Sequence, residues 1–159
     1  MNPPRTLDHA AIEAMIPHRG TMCLLARLDA WDAQHIVCAA INHRDADHPL
    51  RTRRGLLAPC AIEYAAQAMA LHGALIGQAA GRPMAPGYLA SARDVALEVL
   101  RLDDLPLPTA TGEPDELRIE ATRQAGDAQQ ILYGFRISHA GRPIAAGRAA
   151  VVLDTALPA

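Results

Sequence analysis

Residues 60–80 read CAIEYAAQAMALHGALIGQAA, and the architecture turns on them. Ala, Leu, Met, Glu and Gln dominate the stretch, all good helix formers, and its length corresponds to a helix of roughly 30 Å. Only Glu63, Gln67, His72 and Gln78 are strongly polar. A helix apolar on nearly every side must be covered by lipid or by protein. Its polar residues favour protein. Pro59 stands before the run and Gly81-Arg82-Pro83 follows it, which sets both ends.

Working outward, residues 6–16 place Leu7, Ala11, Ile12 and Met15 at helical spacing, and Pro17 stops them. Residues 21–31 and 35–41 are apolar stretches parted by Asp32-Ala33-Gln34, which predicts a hairpin. Residues 42–55 turn sharply polar and predict a solvated loop. Beyond the helix, residues 87–100 form a long strand-like run, followed by a proline-rich connection. Residues 117–121 and 131–138 alternate in polarity, with turn chemistry at Gly126-Asp127 and Ala140-Gly141, and residues 144–153 close the sheet. The prediction is an α+β hotdog fold: a curved antiparallel sheet of about six strands, the last four in a meander, wrapped around one long central helix. Residues 1–159 make one domain, with its core in about 6–153. A single sheet leaves edges uncovered, so a homodimer, or a heterodimer with another hotdog subunit, is expected.

Composition narrows the chemistry. A net charge of -2 gives no field to attract a polyanion, so nucleic acid is not an expected partner. All 15 basic residues are arginine, which removes Schiff-base and P-loop lysine chemistry. Ser91 and Ser138 are the only serines, and neither lies in a nucleophile-elbow context. Cys23, Cys38 and Cys60 are scattered without zinc or redox spacing, which suits a reducing compartment. The first residues lack the pattern of a secretory signal, and no apolar run is long enough for a membrane span. A soluble, cytoplasmic protein is the expectation.

Glu63, in the first turn of the apolar helix, is the leading candidate for acid–base work. A plain helix-start carboxylate is the equal alternative. Gln67, one turn on, either orients Glu63 or satisfies loop backbone. His72 reads as a packed histidine. Residues 43–48 gather His43, Asp45, Asp47 and His48 without any known metal spacing, so no metal is expected. Arg51, Arg53 and Arg54 form either a solvated cationic loop or a phosphate-binding cluster. The backbone N–H groups of Cys60 and Ala61 stand where a helix start leaves donors free to polarise a carbonyl. The Cys60 thiol is a small core residue or, less favoured, a helix-activated thiolate.

Three segments resemble a known family. Pro17-His18-Arg19 with Leu24-Leu25-Ala26-Arg27, Glu63-Tyr64-Ala65-Ala66-Gln67-Ala68, and Gly87-Tyr88-Leu89-Ala90-Ser91 are similar to motifs of the FabA/FabZ-like 3-hydroxyacyl-[acyl-carrier-protein] dehydratases. The likeness spans roughly residues 12–153, and the wording is most similar to divergent members associated with aryl-polyene pigment clusters. The resemblance implies dehydration of 3-hydroxyacyl thioesters to trans-2-enoyl thioesters, in fatty acid or polyene biosynthesis. It implies no metal and no organic cofactor. Acyl-carrier protein, bearing the acyl-phosphopantetheine, is the implied partner. It assigns proton removal at C2 to a histidine and loss of the hydroxyl to an acidic residue that the family draws from the partner protomer. Glu63 maps onto that acid and Gln67 onto an orienting glutamine. His48 lies one residue from the family's histidine position, and His48, His43 or no histidine as the base remain open. A non-catalytic partner or binding subunit of a dehydratase heterodimer, or an acyl thioesterase, are the alternatives on the same fold.

Overall fold

The computed structural model describes residues 4–82, 87–127 and 129–153. A two-residue strand β1 (Leu7–Asp8) leads into the short helix α1 (His9–Glu13), then β2 (Arg27–Trp31) and β3 (His35–Ala40). The long helix α2 (Ala61–Ala79) follows, and then β4 (Gly87–Leu97), β5 (Leu117–Gly126), β6 (Gln130–His139) and β7 (Arg142–Leu153). All the strands join one antiparallel sheet in the order β1-β2-β3-β5-β6-β7-β4. Among the described residues, the seven strands and single long helix are the hotdog architecture; the seventh strand, beyond the expected six, is β1.

Alternation builds the sheet's inner face. Leu117, Ile119 and Ala121 of β5 and Ile131, Tyr133, Phe135 and Ile137 of β6 are buried, while Arg118, Leu132 and Arg136 point outward. Tyr64, Ala65, Ala68, Leu71 and Leu75 of α2 pack against that face and complete the core. The β6–β7 turn carries Ala140 at φ 49° and Gly141 at φ 76°. Two consecutive positive φ values match the twist of a tight hairpin, and glycine takes the second without strain.

Two expectations change. The first helix is shorter than residues 6–16, because Leu7 pairs with Leu28 and Asp8 caps the helix by accepting from the Ala11 N–H at 2.9 Å. The strand after α2 is not part of a four-strand meander: β4 pairs with β7 at the far edge of the sheet. Short turns force β5, β6 and β7 to be neighbours, whereas the connection 98–116 is long enough to carry the chain from one edge back to β3. That connection is anchored by Leu102 and Leu105, both buried, and by Asp103, which holds the guanidinium of Arg101 at 2.7 Å and that of Arg51 at 3.4 Å. Among the described residues no helix is long and apolar enough to cross a membrane.

Candidate active site

The approach to α2 is a 3-10 turn, Ala58–Cys60. Within it the Cys60 N–H donates to the Leu57 carbonyl at 3.0 Å, and the Ala61 N–H donates to the carbonyls of Ala58 and Pro59. The expectation of free donors at Cys60 and Ala61 is therefore corrected, since the preceding turn satisfies both. Burial, followed by the nearby Glu63 charge, pushes the Cys60 thiol up, so the thiolate alternative is also set aside.

Glu63 lies on the less covered side of α2, and its Oε1 is 3.3 Å from Nε2 of His18. The two side chains are 36% and 26% exposed, respectively. The segment carrying His18 is held against the helix from both ends. Ile16 is buried, and its N–H donates to the Ile12 carbonyl at 3.1 Å. On the other side, Gln67 accepts from the Leu24 N–H at 2.8 Å and donates to the Met22 carbonyl at 2.7 Å. Gln67 thus takes the backbone-satisfying alternative, and it clamps residues 22–24 one helical turn from Glu63. The adjacent Arg19 guanidinium turns back to donate to the carbonyls of Glu13 and Ile16. No other described polar group contacts the His18 imidazole, and its Nδ1 is buried without a partner there.

His48 has different surroundings. Its Nδ1 accepts from the Leu50 N–H at 3.1 Å, so the proton sits on Nε2, which donates to the Tyr64 hydroxyl oxygen at 2.9 Å. Tyr64 in turn donates to Asn42 Oδ1 at 2.7 Å. His48 is 5% exposed and faces the core side of α2 through Tyr64. Adjacent helical residues point about 100° apart, so Tyr64 and Glu63 look to different sides. Within the chain, then, Glu63 is brought to His18 and His48 to Tyr64. The residue that sequence reasoning missed as a candidate is His18. Its signal was present, as the imidazole of Pro17-His18-Arg19, but only the tertiary clamp reveals its neighbour.

Three further histidines, His72, His43 and His139, are structural in their contacts. His72 donates from Nε2 to the Asp32 carbonyl at 2.7 Å and accepts from the Tyr133 hydroxyl at 2.8 Å, which agrees with a packed residue. His43 and His139 both approach Asp115 Oδ1, at 3.3 and 2.7 Å. Their three ligand-type atoms lie within 4.8 Å of one another. A cation placed there would compete with Arg44, whose guanidinium already holds Asp115 at 2.6 and 3.1 Å. The expected solvated loop is thus corrected in part, because His43 and His48 are buried while Arg53 and Arg54 are exposed at the tip of a turn closed by Thr52 and Gly55.

A groove of about 680 Å³ runs along α2 from Pro17 and Ala66, the neighbours of the His18–Glu63 pair, towards Arg82. Its helix wall is a stripe of small side chains, Ala66, Ala70, Gly73 and Gly77, and its sheet wall includes Leu89 and Val151. β4 forms the sheet's outer edge beside it, with Tyr88, Leu89 and Leu97 exposed.

The profile of a family described as ApeP-like, ApeP dehydratase, matches residues 10–157. Among solved structures, the fold is similar to a chain of the dehydratase heterocomplex ApeI:P from Xenorhabdus doucetiae, with a TM-score of 0.77, 21% identity and 91% of each chain covered. It is also similar to an HP0420 homologue from Helicobacter felis, with a TM-score of 0.59, 12% identity and 96% of each chain covered. A hypothetical thioesterase from Streptococcus pneumoniae, crystallised with coenzyme A, gives a TM-score of 0.52 at 11% identity, over 82% of this chain and 87% of that one. No curated protein matches the sequence.

Proposed function

Since the chain belongs to the ApeP-like dehydratase family, we propose that it removes water from 3-hydroxyacyl thioesters of acyl-carrier protein, giving trans-2-enoyl thioesters, as one subunit of a hotdog assembly. The observation that carries this reading is Glu63, a partly exposed carboxylate at the start of α2, facing the imidazole of His18, whose chain neighbours Pro17 and Arg19 line a largely apolar groove. Loss of water from such a substrate needs one group to take the C2 proton and another to give a proton to the leaving hydroxyl. Glu63 is the group that protonates the hydroxyl. The groove along α2 receives the acyl chain.

The family's name and the heterocomplex of the Xenorhabdus relative support a second hotdog subunit as partner. It docks across the free edge of β4, where unpaired backbone and the exposed Tyr88 and Leu89 offer a strand to extend. Arg53 and Arg54, exposed on their closed turn, suit the phosphate of the carrier's phosphopantetheine arm.

Hydration of a carrier-bound trans-2-enoyl thioester, followed by loss of enoyl absorbance, tests the reading. The wild-type chain consumes the enoyl signal, and Glu63→Gln slows it by about 100-fold or more. Full activity in that variant removes Glu63 from the reaction. Inactivity of the wild type, both alone and with its hotdog partner, favours the non-catalytic binding subunit, and release of free thiol identifies a thioesterase.

A further inference from the structure

Along β5 the inward positions run Leu117, Ile119, Ala121 and then Arg123. The first three are buried in the core, and alternation carries the fourth onto the same face. A guanidinium therefore stands where the pattern calls for an apolar side chain. Arg123 pairs in register with Tyr133, an inner-face residue of β6, and both line the groove along α2. Its side chain is half-buried and makes no hydrogen bond or ion pair among the described residues. The adjoining turn leaves room for it, because a Cβ at Gly126 would first meet the Arg123 guanidinium, 2.8 Å from Nη2. The same end of the groove carries Arg82, just past the C-terminus of α2, where a cation suits the helix dipole. Arg123 has no such reason for its place. Asp127 lines that end too, but its carboxylate accepts from the Gln129 and Gln130 N–H groups at 2.7 and 2.9 Å. Among the described residues it forms no ion pair with either arginine. At the opposite end Arg19 commits its guanidinium to the carbonyls of Glu13 and Ile16.

We propose that Arg123 binds the far end of the acyl chain, and that the groove selects 3-hydroxyacyl thioesters whose chain ends in a carboxylate. The proposal rests on the dehydratase reading above, with its acyl chain in the groove. From Ala66 to Ala80 the helix wall spans roughly 20 Å, so a chain must run most of the length of α2 to reach the guanidinium. A terminal methyl arriving there would bury an arginine without a counter-ion, all the more once a second subunit covers the groove. A terminal carboxylate instead accepts two parallel N–H bonds from the planar guanidinium. Arg82 adds positive charge at the same end. Between the two ends Ala66, Ala70, Gly73 and Gly77 offer the chain no polar side chain on the way. Selection is thus divided: the small-residue wall sets the length, and Arg123 sets the chemistry of the terminus.

The test is calorimetric binding of saturated acyl-pantetheine thioesters to the full chain, in the oligomeric state it adopts alone or with its hotdog partner. Two series of increasing length, up to and beyond that of the groove, differ only in ending in a methyl or a carboxylate. At groove length the carboxylate-ended chain is expected to bind at least about tenfold tighter than its methyl-ended counterpart, the worth of a charge-assisted hydrogen bond. Shorter pairs are expected to show no such preference. Arg123→Met is expected to abolish or reverse the preference at unchanged melting temperature, and Arg123→Lys to keep part of it. A purely structural arginine would lower the melting temperature without exchanging one chain for the other. Equal binding of the two series at every length, or a preference that survives in Arg123→Met, overturns the assignment. Failure of the carboxylate-ended series to bind overturns it as well. Absence of turnover on the matching enoyl thioesters, with the binding preference intact, overturns the dehydratase reading and leaves the role of Arg123 standing.

Discussion

Burial disfavours the charged form of three imidazoles of this chain. Desolvation is the largest influence on His43, His48 and His72, and it lowers each below the ordinary histidine value of 6.5. For His48 and His72 the hydrogen bonds add a second restriction. A proton arriving at Nδ1 of His48 would face the Leu50 N–H, and one at Nδ1 of His72 would displace the Tyr133 hydroxyl proton. Below about pH 6.5 the unfolded chain therefore binds protons that the native chain refuses. Stability is complete above that value and declines as the pH falls below it. Each histidine contributes a slope of at most about 1.4 kcal/mol per pH unit. The carboxylates act later: Arg101 holds Asp103 down at about 2, and Arg44 holds Asp115 well below the usual range, so their contributions persist until stronger acid. Urea melts between about pH 7 and 5 are expected to show falling stability, with a shallower fall in His48→Asn. A flat profile in the wild type contradicts this account. The same contrast explains what was legible in the candidate site. Glu63 could be singled out because a carboxylate in an otherwise apolar helix is visible in a local window. Its imidazole neighbour could not, since the clamp made by Gln67 joins segments more than forty residues apart, as the separation of Leu24 and Gln67 shows.

At the scale of elements, the closed turn from Thr52 to Gly55 shows how tightly a loop can be specified. Thr52 and Gly55 exchange backbone hydrogen bonds at 3.0 Å, and the Leu56 N–H donates to Asp103. Gly55 sits at φ 98°, and a Cβ there would lie 2.6 Å from Arg101 Nε and 2.7 Å from Asp103 Oδ1. Gly55→Ala is thus expected to lower stability by about 1–3 kcal/mol, through backbone strain and through separation of the Arg101–Asp103 pair. A urea melt within error of the wild type would show that the turn yields without cost. The helix α2 and the strands β5 to β7 were readable because each carries its own periodicity and its own turn chemistry. The place of β4 was not. Its residues announce a strand, but its choice of β7 over β5 depends on where the connection 98–116 runs, which no local pattern encodes.

For the molecule as a whole, the decisive surface is the small-residue face of α2 with the edge of β4 beside it. A Cβ placed at Gly73 meets no atom within 4 Å, so the chain itself leaves that position open. Gly73→Leu should fold as well as the wild type, or better by up to about 1 kcal/mol, because leucine favours the helix more than glycine does. In an assembly, the added side chain projects into the groove proposed for the acyl chain, on the face that a second subunit docked at β4 would cover. The wild type is expected to sediment as a dimer, by itself or with its hotdog partner, and Gly73→Leu as a monomer of undiminished melting temperature. Retained association in the variant would place the interface elsewhere.

Burial of Cys23 and Cys38 beside a partly exposed Cys60 has a practical consequence. At mildly alkaline pH a maleimide dye reaches Cys60 first, three positions before Glu63 and without any engineered residue. The fluorophore then stands at the start of α2, and its emission reports the arrival of a subunit or of a loaded carrier as each event changes its local polarity.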